Sequence, residues 1–210
     1  MPRIAGQIDV SKNEAILDAA MEVLAERGVS VSMDEIARRA GVSKQTIYNH
    51  YGSKAELVRI MAERRVHEIT APLGAPDAME NPQEALAAFA RILLNAAFQT
   101  KGAGLYRTAI LHAPEMPDVA LALWEAGPKA SRARLAEFLA LETKAGRLFC
   151  PKPAEAAEFF AGMVVGSYQT GQLLGIEVGL DAAKIERIAT EASFRFLRAY
   201  AALPNADTFP

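Results

Sequence analysis

Two Ser-x-x-Glu motifs, Ser32-Met33-Asp34-Glu35 and Ser53-Lys54-Ala55-Glu56, bracket a short polar stretch, GVSKQTIYNHYG from Gly41 to Gly52. In such a motif the serine hydroxyl satisfies an early backbone donor of the helix it opens, and the glutamate answers it three residues on. The first motif opens a brief helix with Ile36, Ala37 and Ala40 inward, ending at Gly41. The second opens a helix anchored by Leu57, Ile60 and Met61. Between them Ser43 is placed to cap a third, short helix. Two helices around a short one, with glycine in the preceding turn, describe a helix-turn-helix. Val42, Ile47 and Tyr51 can pin the short helix to its neighbours. Lys44, Gln45, Thr46, Tyr48, Asn49 and His50 are then left on or near the outer surface, where a groove-reading helix needs them.

Upstream, Ile16, Ala20, Val23 and Leu24 recur at helical spacing between Asn13 and Arg27, and Gly28 stands where a helix prefers to stop. From Gly28 to Arg65 seven Lys/Arg face four acids, a local excess of the sign that phosphates attract. The whole chain carries a net charge of −2, so no global basic field advertises nucleic acid. Its 51% hydrophobic and 23% charged residues are those of a globular protein. Met1–Asn13 carries Arg3, Asp9 and Lys12 without an apolar run, unlike a signal peptide. Phe159–Ile176 lacks formal charge, but Ser167, Tyr168, Gln169, Thr170 and Gln172 would be expensive in lipid; a buried helix is expected, and no membrane partner. The single cysteine, Cys150, excludes an intramolecular disulfide and fits a cytoplasmic setting.

The rest of the chain reads as helical, with no strand-forming alternation. Asn81-Pro82-Gln83-Glu84 combines an N-cap, a proline at the first helical position and a capping glutamate, and Leu86, Phe89, Ala90, Leu93 and Ala97 continue as an apolar stripe. A glycine-bearing loop and the segment Leu105–His112 follow, then prolines at Pro114 and Pro117. Pro117–Leu141 reads as a long helix interrupted at Gly127-Pro128. Pro153–Gly175 and Asp181–Tyr200 read as two final helices. Gly162 and Gly166 put small residues along the first of these, suggesting close approach of another helix. On the last, Ile185, Ile188, Ala189, Ala192 and Phe196 form a stripe wider than one monomer's core is expected to use. No HExxH, GxSxG, phosphate-binding glycine loop or Cys/His ligand spacing occurs, so the expectation is no enzyme, no cofactor and no metal.

The run MDEIARRAGVSKQTIYNHYGSKAELV resembles the DNA-binding domain of the TetR family of bacterial transcriptional regulators. The resemblance rests on Ile36-Ala37, Ala40-Gly41-Val42-Ser43, Thr46 with Tyr48, His50-Tyr51 and Ser53-Lys54. It implies that Ser43, Lys44, Gln45 and Thr46 open a recognition helix facing base edges or phosphates. Tyr48, Asn49 and His50 would lie along the backbone, His50 alternatively steadying the turn. Lys54 would meet phosphate at a helix N-terminus, and Ser32 and Met33 would either touch phosphate or, for Ser32, only cap. In such proteins the last two helices form a four-helix bundle with a symmetry mate, which assigns Gly162, Gly166, Ile185, Ile188, Ala192 and Phe196 to a homodimer interface. The Glu125–Pro128 sequence EAGP resembles a branch of the family whose domain encloses a small inducer. Tyr106, Ile110, His112, Met116, Trp124, Phe160, Met163, Tyr168 and Gln172 are the candidate lining, although ordinary core packing accounts for any one of them.

The expectation is an all-α protein. Residues 1–70 form a three-helix DNA-binding domain of the helix-turn-helix type, and residues 71–210 a larger helical domain for ligand binding and dimerisation. Its partners are a palindromic double-stranded operator, a second copy of the chain, and an apolar or amphipathic inducer that releases a repressor from DNA. The competing reading is a helical small-molecule binding protein whose helix-turn-helix is vestigial.

Overall fold

The computed structural model of the chain describes residues 10–98 and 100–202; Arg3 and Asp9 lie outside the described residues. The helices are α1 (Val10–Arg27), α2 (Met33–Arg39), α3 (Lys44–Tyr51), α4 (Lys54–Thr70), α5 (Pro82–Phe98), α6 (Thr100–Leu111), α7 (Pro117–Trp124), α8 (Ala130–Lys144), α9 (Pro153–Val165), α10 (Tyr168–Leu173) and α11 (Ala182–Ala199). A 3-10 turn, Ala71–Gly74, follows α4. The described residues contain no strand, only an isolated bridge between Leu148 and Ala201. None of their helices is long and apolar enough to cross a membrane.

The serine caps form as the motifs predict. Ser32 Oγ accepts from the Glu35 N–H at 3.2 Å, Ser43 Oγ from Thr46 at 3.0 Å and Ser53 Oγ from Glu56 at 3.1 Å. Each satisfies a donor that the first turn of a helix leaves unpaired, for about 1 kcal/mol. Asp181 does the same for α11, its carboxylate accepting from the Lys184 N–H at 2.7 Å.

The chain divides into two compact units. The first holds the chain up to Arg65 together with Gln99–Pro128; the second holds Val66–Phe98 and the chain from Lys129 onward. In the first, Ile16, Leu24, Ile36, Ile47, Leu57 and Met61 form a continuous buried cluster that extends to Leu105, Val119 and Leu123. Here α6 packs on α1 at backbone distance. A Cβ on Gly104 would come within 3.0 Å of the Ala25 carbonyl oxygen. One on Gly28, whose φ is +82°, would meet Thr108 Cγ2 at 2.8 Å. The glycines that suggest a loop before Leu105 are thus helical, and Gly104 serves close approach rather than a turn. At Glu125–Lys129 the predicted interruption is one wide π turn containing Pro128, which supplies no N–H for the ordinary helical bond.

In the second unit α11 packs against α5 and α9. Phe160 sits at the centre, its ring 6.1 Å from Phe89 and 5.1 Å from Phe196, which in turn lies 4.6 Å from Tyr200. Ile185, Ala189, Ala192 and Phe196 are all buried in this cluster. This corrects the assignment of Ile185, Ala192 and Phe196 to a dimer face: the stripe is consumed inside one chain, with Ile188 half-buried beside it. The expected helix Pro153–Gly175 is also two helices. Gly166 takes φ +49°, a backbone that L side chains rarely adopt, so α9 stops there and α10 begins at Tyr168. Gly162 remains on an open face of α9, with nothing within 4 Å of where its Cβ would be.

Candidate nucleic-acid interface

Two side chains anchor α3. Ile47 is completely buried and Tyr51 is 2% exposed, so the helix presents one face inward and the remainder to solvent. Lys44, Gln45, Tyr48, Asn49 and His50 are exposed, and Thr46 is half-buried. The sequence places these residues together correctly; what it does not reveal is how they are held.

Each polar side chain on α3 has a partner. Lys44 Nζ donates to Asp34 Oδ2 at 2.8 Å and lies 5.6 Å from the centre of the Tyr48 ring. Gln45 Nε2 donates to Asn49 Oδ1 at 2.5 Å, one helical turn on. Ser43 Oγ and Thr46 Oγ1 are 2.8 Å apart, so the cap hydroxyl also steadies the threonine. The bond to Asp34, and then its charge, raise the Lys44 pKa, keeping the ammonium charged.

Asn13 and Val29, absent from the sequence-based site, fix the surroundings of α3. Asn13 Oδ1 accepts from the Tyr51 hydroxyl at 2.6 Å and lies 3.1 Å from His50 Nε2. The His50 ring meets Tyr51 edge-on, centroids 4.6 Å apart. The His50 contact thus joins the end of α3 to α1. Lys54 Nζ donates to the Val29 carbonyl at 2.7 Å, and burial lowers its pKa against the opposing pull of Asp118. That ammonium has one of its three donors committed within the fold. Met33 is buried in the core, which leaves its side chain unable to touch phosphate, while Ser32 is exposed and capping. No periodic pattern in the sequence links Asn13 to Tyr51 or Val29 to Lys54, because these contacts join segments far apart along the chain.

The candidate ligand residues fall in different units. In the first, Tyr106, His112 and Met116 are half-buried, whereas Ile110 and Trp124 are exposed. In the second, Tyr168 and Gln172 are half-buried and Met163 is exposed. Phe160 is fully buried between Phe89 and Phe196, so it is a core residue with no surface to offer a ligand. Tyr168 lies edge-on to Phe98 at 6.5 Å, with Lys184 Nζ 4.8 Å from its ring centre. Among the described residues no three His, Cys, Asp or Glu side chains gather as a metal site would require.

Residues 16–61, which contain this interface, match the family described as bacterial regulatory proteins, tetR family. Residues 84–202, more than half of the chain, match the C-terminal domain of AefR-like transcriptional repressors. The chain belongs to the TetR family of transcriptional regulators. Among solved structures it is similar to the flavonoid-responsive regulator FrrA, at 32% identity over 94% of this chain and 100% of that one, with a TM-score of 0.69. It is also similar to a TetR transcriptional regulator from Agrobacterium tumefaciens, at 26% identity over 93% of this chain and 96% of that one, with a TM-score of 0.73. The HTH-type transcriptional activator FasR of Mycolicibacterium smegmatis is 47% identical over 55 residues, which are 26% of this chain and 25% of that protein. The chain spans 25%, 27% and 42% of the length of three curated relatives it matches.

Proposed function

We propose that this TetR-family chain is a cytoplasmic, homodimeric repressor that binds a palindromic DNA operator and leaves it when a small ligand binds. Residues 1–70 would read the DNA; residues 71–210 would bind ligand and dimerise. The observation that carries this reading is α3: two buried anchors hold a helix whose remaining face is polar, with Lys44, Gln45, Tyr48, Asn49 and His50 exposed and Thr46 half-buried. A core helix would not leave that face out. Lys44, Gln45 and Thr46 would reach base edges, while Ser32, Ser43, Tyr48, Asn49, His50 and the remaining donors of Lys54 would meet sugar and phosphate.

For the dimer, Phe159, Gly162 and Met163 share the open face of α9, and Phe194 is exposed on α11. These replace the buried part of the stripe as the proposed contact surface, with Gly166 at its edge. The inducer would be apolar or amphipathic, since ligand pockets are mostly apolar with few polar contacts. The similarity to a flavonoid-responsive regulator supports an aromatic one.

The test is DNA selection from a random-sequence pool, followed by titration of Gln45→Ala and Thr46→Ala against the enriched duplex and the unselected pool. A lost base contact is expected to cost about 1–3 kcal/mol on the enriched duplex. It should leave the unselected pool nearly unaffected. Wild-type discrimination in both variants would rule out α3 as the reader.

A further inference from the structure

Lys44 is the first residue of α3 and Asp34 the second residue of α2, and their 2.8 Å ion pair joins the two helices across the turn. The ammonium also lies over the Tyr48 ring. It is therefore bound to the protein's own surface in the free chain, although its side chain is 66% exposed. The neighbouring acid is directed elsewhere: Glu35 pairs with Arg27 and, at 3.6 Å, with Arg38. Of the two acids in the first turn of α2, one holds the end of α1 and the other holds the start of the reading helix.

From this arrangement we infer that Asp34 is a specificity-determining residue, one that restrains Lys44 from binding DNA of arbitrary sequence. The inference rests on the DNA-reading function proposed for α3. Paired with Asp34, Lys44 presents a neutral dipole to an approaching duplex. To neutralise a phosphate it must leave the pair, and Asp34 is then stranded beside a second anion. On non-operator DNA the phosphate is the sole reward for that exchange. At a site offering guanine O6 and N7 in the major groove, Lys44 meets the base edge with its other donors and keeps Asp34, so the pair is not broken there. An unfavourable element that penalises the wrong partner more than the right one raises discrimination, even while it lowers affinity for both.

The experiment compares the wild-type chain, Asp34→Asn, Lys44→Met and the double variant. Each is titrated over a range of salt against the duplex enriched from a random pool by the wild-type chain and against the unselected pool. Asp34→Asn is expected to tighten binding to the unselected pool by roughly two- to fivefold, the size of an exposed ion pair. Its salt slope there should steepen by about 0.9, one added phosphate contact. Binding to the enriched duplex should tighten less, so the ratio between the two falls. In the Lys44→Met background, Asp34→Asn should change neither slope. If it has the same effect with and without Lys44, Asp34 acts only through its own charge and the inference is overturned. Should Asp34→Asn lower the melting temperature, Asp34→Ser, also uncharged and with a hydroxyl in the first turn of α2, is measured in its place against the same outcomes. Salt-dependent wild-type binding with an unchanged Asp34→Asn overturns this inference alone. Absence of wild-type duplex binding overturns the DNA-reading function with it.

Discussion

Lys54 Nζ donates to the backbone carbonyl of Val29 at 2.7 Å, tying the first residue of α4 to the turn that follows α1. Lys54→Met keeps most of the aliphatic stem but removes the donor, leaving a part-buried carbonyl without this partner. Urea unfolding should show a loss of about 1–3 kcal/mol, the cost of an unmade bond to a buried acceptor. Lys54→Arg, which retains donors, should lose less. Equal stability of all three chains would mean that the bond does not form in solution.

Tyr51 supplies a pH prediction. Burial, and then the Glu14 carboxylate, push its phenol up to about 12, with Arg64 pulling the other way. A folded-state pKa above the unfolded value of 10.0 means that the contribution to stability is full below pH 10 and is lost as the pH rises through about 12. Burial raises the Tyr200 phenol as well, so an absorbance titration should show a late phenolate component that loses its Tyr51 share in Tyr51→Phe. Ionisation of Tyr51 at the ordinary tyrosine pH would show that its ring is not enclosed.

The contact of α1 with α6 is testable by adding single methyl groups. In a free helix Gly104→Ala would gain about 1 kcal/mol from propensity. Here the new Cβ lies 3.0 Å from the Ala25 carbonyl oxygen, an atom that cannot rotate away, so a net loss is expected. Gly28→Ala should lose more. Its φ of +82° costs an L residue about 1–2 kcal/mol, and its Cβ meets Thr108 at 2.8 Å. Thermal unfolding of both variants checks the signs; stabilisation by Gly104→Ala would show that α6 stands further from α1.

On α9 and α11 two kinds of apolar residue should behave differently. Phe159→Lys or Met163→Glu, on the exposed face, is expected to convert a dimer to a folded monomer by light scattering, with helical content intact. Phe196→Ala, in the ring cluster of the second unit, should cost about 3–5 kcal/mol of stability. A wild-type monomer at micromolar concentration would refute the dimer outright.

The helical class, the three serine caps and the polar face of α3 were legible in the sequence because each depends on residues within about one helical turn of one another. Ile47 and Tyr51, four residues apart, marked the inward side of α3 without any knowledge of what they touch. The misreadings have a common cause. Gly104 and Gly166 are the same residue type, yet one permits a backbone contact inside a helix and the other a positive φ that ends one. Ile185, Ala192 and Phe196 show a stripe, but periodicity says that a face is buried and not by which chain. The partners Asn13 and Tyr51, Val29 and Lys54, and Asp34 and Lys44 come from different elements and meet only once the helices have packed. Local sequence determined which helices form and which sides are apolar, since those depend on backbone satisfaction and side-chain spacing. Tertiary packing decided which polar atoms around α3 are already engaged, because that depends on distances between segments that no spacing along the chain encodes.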